Sequence, residues 1–482
     1  MNPKTQAPDP NRRQFLGSCC AAVGATGMLS ALAQLRLMGA VAEPSNGPSV
    51  PATGNALPPD YKALVCLFLA GGNDANNLIV PNDTAGYGLY SAGRGALALP
   101  RTSVLAITPK TADAYTYGLH PSMPEARDLF AAGNLAVIAN VGTLCVPTTK
   151  AQYVSNSVPL PRQLFSHNDQ QVEWQSSVPD KPFTTGWGGR LADLTNAFNS
   201  NNSISMSISL NGANSFQVGN QVVQYAVGTN GAISLTGSST SATSAAGLRT
   251  RAQNDLLAAQ NNNLFETAFA GLTANAVADS ALLSSYLTGT APFTTAFPNS
   301  NLGAQLRTIA RLIAAAPSLG LKRQVFFARI GGWDLHDQQV QTGNTVAGAH
   351  ANLLGDVSRS LSAFYNATKE LGADRQVTTF TASDFGRTFN TNGDGSDHGW
   401  GSHHLVMGGA VNGTDIYGRM PTWTSNGSGP DDTGRGRWIP STSVDEYSAT
   451  LAKWFGVSAT NLPVVLPNIG RFAKPDLGFM SA

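Results

Sequence analysis

The sequence has few cysteines and almost no excess of positive charge, and both features exclude some classes of protein. Of four cysteines among 482 residues, Cys19 and Cys20 lie near the start, which leaves Cys66 and Cys145. Two cysteines form at most one disulfide, so no disulfide framework holds the fold. The formal net charge is only +1. This excludes the basic surface that nucleic-acid binding requires and argues against a polybasic membrane surface.

Several catalytic signatures are also missing. The sequence has no Walker or Rossmann glycine fingerprint, and no G-x-S-x-G elbow stands at a strand-to-helix turn. Asp384-Phe385-Gly386 matches the metal-binding tripeptide of protein kinases, but neither a glycine-rich loop nor a catalytic loop accompanies it. These absences exclude the nucleotide-binding and serine-esterase classes that carry those motifs.

The first 42 residues have the organisation of an export signal. Arg12 and Arg13 precede a weakly hydrophobic stretch over 15–35, and small residues follow at 40–42. This order is typical of a cleaved signal, and the paired arginines are typical of the twin-arginine route. We therefore expect a signal peptide over 1–42, a flexible leader over 43–60 and a periplasmic or exported protein. The mature chain is expected to have no integral membrane segment.

Helical patterns alternate with short apolar runs along the rest of the chain. The apolar runs lie at 63–69, 135–141, 324–330 and 376–382. Buried parallel strands have this continuous apolar character. We predict an α/β fold with a largely parallel sheet and helices on both faces. It forms a single domain over 61–475, with an Asn/Ser/Thr-rich β insertion at about 196–300 in which helical sequence returns.

Three of these four runs lead into acidic residues. The first is followed by Asp74, the third by Asp334 and His336, and the fourth by Asp384, while a later glycine-rich loop adds His398. Parallel strands bring their carboxyl ends to one edge of a sheet, where like charges repel unless a cation lies among them. Carboxylate and imidazole groups suit Zn, Mn or Fe. We predict a divalent metal site formed by these five residues.

Ser166 is the candidate nucleophile. It stands before a helical pattern with Asp169 three residues later, a spacing that helix capping alone explains. A serine at that position also lies where backbone N–H groups favour an incoming anion. Arg387 could clamp such an anion with two hydrogen bonds or form an ion pair that stabilises a helix.

Six segments together resemble a known bacterial family. They are the twin-arginine leader, residues 68–74, 165–170, 331–336 and 383–388, and Asp397-His398. Their combination is similar to that of the exported proteins grouped as domain of unknown function 1501, over roughly 60–475. This family is in turn similar to the alkaline phosphatase and sulfatase superfamily.

The resemblance implies an alkaline-phosphatase-like α/β core with one or two divalent ions, whether Zn, Mn, Fe or Ca. It implies that Ser166 is the attacking hydroxyl. It also implies a set of metal ligands, namely Asp74, Asp334, His336, Asp384 and His398. We therefore expect an exported metal-dependent hydrolase of small anionic phosphate or sulfate esters. The alternative is a non-catalytic envelope protein that keeps this fold for binding or assembly.

Overall fold

The computed structural model describes residues 56–481 with five short gaps, at 201–203, 230, 232–236, 260–262 and 288–290. The predicted signal peptide and most of the predicted leader lie outside the described residues, so export stays a prediction. No helix among the described residues combines the length and the apolar character needed to cross a membrane.

Strands and helices alternate along the described chain. The strands are β1 (Lys62–Leu69), β2 (Ile79–Pro81), β3 (Leu105–Ile107), β4 (Tyr117–Leu119), β5 (Leu135–Gly142), β6 (Ser207–Ser209), β7 (Tyr225–Ala226), β8 (Arg323–Ile330), β9 (Val377–Ser383), β10 (Ser402–Met407), β11 (Ile416–Tyr417) and β12 (Thr442–Ser443). The α-helices are α1 (Thr84–Arg94), α2 (Pro124–Ala131), α3 (Lys150–Ser155), α4 (His167–Ser176), α5 (Trp187–Thr195), α6 (Ala245–Ala258), α7 (Leu264–Leu287), α8 (Asn301–Ala315), α9 (Ala349–Glu370), α10 (Val444–Phe455) and α11 (Leu462–Val465).

A nine-stranded sheet forms the centre of the fold. Its order is β11-β5-β10-β9-β1-β8-β6-β7, and β12 also pairs with β5. β10 runs antiparallel to β5 and β9, whereas β1 runs parallel to both β8 and β9. Apart from its first residue, β1 is buried throughout, as its continuous apolar sequence predicts. The predicted α/β class with a largely parallel sheet is confirmed.

The segment that we predicted as an insertion supplies one edge of this sheet. β6 pairs in parallel with β8, and β7 pairs in parallel with β6. Phe216, which follows β6, has its ring centroid 4.8 Å from that of Trp187 and 6.2 Å from that of Phe327. This part of the segment is therefore packed into the main core, and the predicted helical sequence follows as α6 and α7.

The strand order brings three strand ends together. β1 lies between β8 and β9, and Leu69 at its end is in register with Ile330 and with Ser383. All three parallel strands therefore stop at the same level. The loops that follow them leave the sheet side by side, at the edge where parallel sheets bind ligands.

Gly71 allows the loop after β1 to lie against the loop after β8. Its φ is +121°, and a Cβ on it would be 2.5 Å from the backbone nitrogen of Asp334. Its N–H donates to Oδ1 of Asp384 at 3.1 Å. A side chain would therefore separate the strand ends, and glycine has neither the clash nor the conformational penalty.

Replacing Gly71 by alanine is expected to lower the free energy of unfolding by about 2–4 kcal/mol, through backbone strain and the clash with the Asp334 backbone. Gly88→Ala in α1 is the matched control, because a Cβ there meets nothing within 4 Å. It should be neutral or stabilising by up to about 1 kcal/mol. Thermal and denaturant unfolding of both variants measure the difference, and equal stabilities would contradict this account of Gly71.

Candidate metal centre

Four side chains converge at the shared strand edge, and we refer to His167, Asp334, His336 and His398 as the His–Asp cluster. Nε2 of His398 lies 3.1 Å from Nε2 of His167 and 2.9 Å from Nε2 of His336. Oδ1 of Asp334 lies 3.3 Å from Nε2 of His398 and 3.1 Å from Nε2 of His336. Three imidazoles thus direct the same ring nitrogen toward one carboxylate.

Hydrogen bonds on the far side of two rings fix their tautomers. Nδ1 of His398 donates to the backbone carbonyl oxygen of Phe165 at 2.7 Å, and Nδ1 of His336 donates to Oδ1 of Asp397 at 3.3 Å. Both partners only accept, so each Nδ1 carries a proton and the Nε2 atom of each ring is directed toward the cluster.

The third ring is held in the same way by Asp384. Nδ1 of His167 donates to Oδ2 of Asp384 at 2.7 Å, and the side-chain amide of Gln171 donates to the same oxygen at 2.9 Å. This hydrogen bond to the Asp384 carboxylate raises the pKa of His167. The predicted ligand Asp384 therefore lies behind His167, with both of its oxygen atoms accepting hydrogen bonds from the protein.

The geometry of the cluster fits a divalent ion. The ligating atoms of His167, Asp334 and His398 all lie within 4.8 Å of one another. The two Nε2 atoms lie 3.1 Å apart, Oδ1 of Asp334 lies 3.3 Å from Nε2 of His398, and Oδ2 of Asp334 lies 3.4 Å from Nε2 of His167. A tetrahedron with ligands about 2.0–2.1 Å from its centre has edges of about 3.3 Å. Without a cation or a proton among them, lone pairs at these distances repel.

Phe385 packs against two rings of the cluster, and burial affects the protonation of one of them. The Phe385 ring centroid lies 4.8 Å from that of His167 and 4.6 Å from that of His398. Burial lowers the pKa of His398, which keeps its ring in the neutral form that binds metals. The Asp334 side chain remains 44% exposed, so the cluster is open to solvent on one side.

Arg387 lies behind Asp334 rather than facing solvent. One Nη donates to Oδ1 of Asp334 at 2.6 Å, the other donates to the carbonyl oxygen of Ser396, and the side chain is fully buried. Burial alone would raise the pKa of Asp334, but this hydrogen bond lowers it. We predicted an anion clamp or a helix-stabilising ion pair for Arg387, and the structure shows an ion pair with Asp334, which lies in the loop after β8 and not in a helix.

Asp74 is not among the residues whose ligating atoms converge. It is buried and forms an ion pair with Arg94, while Gln339 donates to it at 2.5 Å and Asn76 at 3.1 Å. Burial alone would raise its pKa, but Arg94 lowers it. The structure therefore separates Asp74 from the other predicted ligands, because its carboxylate is occupied by a buried guanidinium.

Ser166 lies at the N-cap of α4, between two residues that contact the cluster. Its Oγ donates to Oδ2 of Asp169 at 2.6 Å. Within the described chain it makes no capping hydrogen bond to the helix backbone, so the capping interaction that we considered is absent. The hydroxyl is instead oriented by a carboxylate, with the Phe165 carbonyl on one side in sequence and the His167 ring on the other.

Sequence reasoning missed His167, although the signal was present. His167 and Gln171 are four residues apart at the start of α4, so they lie on one helix face, and both contact Asp384. It also missed Arg435, which forms an ion pair with Asp397 behind His336. That contact joins residues 38 positions apart, and β10 and β11 lie between them in the chain.

Residues 61–429 match the family model described as Protein of unknown function (DUF1501). The chain belongs to this family. No curated protein matches it. Three crystal structures show similarity to it. Ps i-CgsB in complex with k-i-k-neocarrahexaose is 11% identical with a TM-score of 0.34, over 86% of this chain and 77% of that one. The lipoteichoic acid synthase LtaP from Listeria monocytogenes is 8% identical with a TM-score of 0.32, over 90% and 80%. The PsFucS1 sulfatase from Pseudoalteromonas sp. is 11% identical with a TM-score of 0.33, over 88% and 74%. Because all three TM-scores are below 0.5, these three structural similarities carry no conclusion about function.

Asp74→Ala is expected to destabilise the protein by about 3–5 kcal/mol, because it leaves the buried Arg94 without its counter-charge. Metal content should stay unchanged. Asp60→Ala is the matched control, since Asp60 pairs with Lys322 at the surface, where such a pair contributes less than about 1 kcal/mol. Denaturant unfolding and elemental analysis measure the two effects. Loss of metal from an Asp74→Ala protein of unchanged stability would instead show that Asp74 is a metal ligand.

Proposed function

We propose that the protein is a metal-dependent hydrolase of phosphate or sulfate esters. The observation that carries the proposal is the convergence of three imidazole Nε2 atoms on one carboxylate, with every Nδ1 bonded to an oxygen acceptor. Proteins that bind metals through histidine orient the ring in this way. The resemblance to the alkaline phosphatase and sulfatase superfamily points to the ester class.

His167, Asp334 and His398 would hold the ion, and His336 contacts the last two. A nitrogen and oxygen donor set of this kind fits Zn, Mn or Fe. A divalent ion bound there supplies Lewis-acid polarisation of the ester and lowers the pKa of a nearby hydroxyl. The open side of the cluster leaves room for a substrate oxygen.

The chain's own groups would prepare the nucleophile. The Ser166 proton points at Oδ2 of Asp169, which places a carboxylate where it can accept that proton as Oγ attacks. A bond from Oγ to phosphorus or sulfur forms while the bond to the ester oxygen breaks, and the released alcohol takes up a proton. Water then hydrolyses the seryl ester and frees the serine.

Around the cluster, three protein groups keep the rings in place. Asp384, Asp397 and the Phe165 carbonyl each accept from one Nδ1, so the Nε2 atoms cannot turn away. Arg387 holds Asp334 from behind. The donor atoms are therefore positioned before any ion arrives, which reduces the entropy lost on binding.

Protein purified with its metal should contain about one divalent ion per chain. His398→Ala should abolish binding, because it removes the imidazole that contacts both other rings. Asp384→Asn keeps the shape but loses the anionic acceptor of His167, and should weaken binding by about 10–100-fold. Elemental analysis and chelator competition measure these losses, with thermal unfolding to show that each variant folds. Full metal content in His398→Ala would refute the site.

Nitrophenyl phosphate and nitrophenyl sulfate test the reaction itself. Ser166→Ala should reduce turnover of the accepted ester by at least about a thousandfold without loss of metal. Ser155→Ala is the control, because that hydroxyl is exposed and its hydrogen bonds are local to its own helix and the next turn. If the purified protein contains no metal and is inert toward both esters, the result would favour the non-catalytic envelope protein instead. Undiminished turnover in Ser166→Ala would refute the assigned nucleophile.

A further inference from the structure

We propose that Arg437 binds the tetrahedral oxyanion of the substrate, a phosphate or sulfate group, at the rim of the His–Asp cluster. The proposal rests on the proposed hydrolase function and names the residue that recognises the charged part of the ester. It also gives the anion-binding role that was predicted for Arg387 to a different arginine.

The contacts of Arg437 place it beside the His–Asp cluster and beside the segment that carries Ser166. Its Nε donates to the backbone carbonyl oxygen of His398 at 2.9 Å. Its guanidinium carbon lies 4.9 Å from the centroid of the Phe165 ring. His398 belongs to the cluster, and Phe165 directly precedes Ser166. The guanidinium is therefore next to the residues that connect the metal centre to the nucleophile.

Arg437 differs from the other arginines near the cluster in the donors it has left. Arg387 is buried and committed to Asp334, and Arg435 forms an ion pair with Asp397. Within the described part of the chain, Nη1 and Nη2 of Arg437 have no hydrogen-bond or carboxylate partner. The side chain is partly exposed. It thus offers a positive charge and free N–H groups beside His398 and Phe165.

Those free groups suit an oxyanion. A guanidinium fixed through Nε and stacked on an aromatic ring is held in one plane, and its remaining N–H groups can donate in parallel to two oxygen atoms. Phosphate and sulfate share this tetrahedral arrangement of acceptors. A lysine would supply a point charge but not the paired donors.

The loop that carries Arg437 is fixed by a buried carboxylate. Asp432 accepts from the backbone N–H groups of Gly427, Gly434 and Gly436 at 2.6, 2.7 and 2.8 Å, and it is fully buried. The N–H of Arg437 donates to the carbonyl oxygen of Gly434 at 3.2 Å. Because the backbone is held by these bonds, Arg437 can bind an anion without ordering the loop first.

Calorimetry of inorganic phosphate and of inorganic sulfate, each titrated into the metal-loaded protein, tests the proposal directly. Arg437→Ala should weaken binding of the preferred anion by about 10–100-fold, the loss expected for a charged hydrogen-bond pair. Arg437→Lys should recover part of the affinity. In turnover assays KM should rise more than kcat falls. The anion that the unaltered protein binds more tightly identifies the ester class.

Arg127→Ala is the matched control, since Arg127 pairs with its neighbour Asp128 at the surface and its loss removes the same charge. It should bind anions as the unaltered protein does. Arg437→Gln, which keeps a donor for the His398 carbonyl, replaces Arg437→Ala if that variant fails to fold. Metal content is measured in every variant and should not change.

The outcomes separate this proposal from the proposed function. Unchanged anion affinity in both Arg437→Ala and Arg437→Gln, with turnover intact in the unaltered protein, overturns the role of Arg437 alone. Loss of metal from folded Arg437 variants also overturns it, because the residue would then support the cluster. Metal-loaded unaltered protein that binds neither anion and hydrolyses neither ester overturns both.

Discussion

Parallel pairing of β1 with β8 on one side and β9 on the other is the constraint on which the His–Asp cluster depends. Leu69, Ile330 and Ser383 end at the same level, although Leu69 is far from the other two in the chain. The loops beyond them deliver Asp334 and Asp384 to one edge of the sheet. Gly71 allows those loops to touch, so the sheet fixes the spacing of the groups before any ligand is present.

Charge pairing then gives three carboxylates at this edge three different tasks. Asp74 faces the buried Arg94 and joins the first loop to the fold. Asp334 faces Arg387 on one side and the imidazoles on the other. Asp384 accepts from His167 and orients it. The residue type is the same in each case, and the neighbouring cation or ring determines whether the carboxylate supports the fold, faces the imidazoles or orients one of them.

Directed hydrogen bonds distinguish the His–Asp cluster from a group of unconstrained surface histidines. An unconstrained imidazole can turn either nitrogen outward, but here each Nδ1 is occupied by an oxygen acceptor. The three Nε2 atoms therefore face inward, where they favour a bound cation. On the rim, Arg435 and Arg437 come from a single short loop, yet one pairs with Asp397 and the other keeps free N–H groups.

The sequence by itself determined the α/β class and the strands at the centre of the sheet, because apolar runs are local features of the chain. It also determined the edge at which Asp334, His336, Asp384 and His398 meet, because all parallel sheets bring the carboxyl ends of their strands to one edge. Tertiary structure decided the rest. The Asp74 carboxylate pairs with Arg94, the Arg387 side chain is buried against Asp334, and His167 reaches the cluster from α4. Each of these contacts depends on which distant side chain packs next to the residue. A buried charge needs an oppositely charged or hydrogen-bonding partner, and the tertiary fold determines which residue this is. Sequence spacing does not predict it.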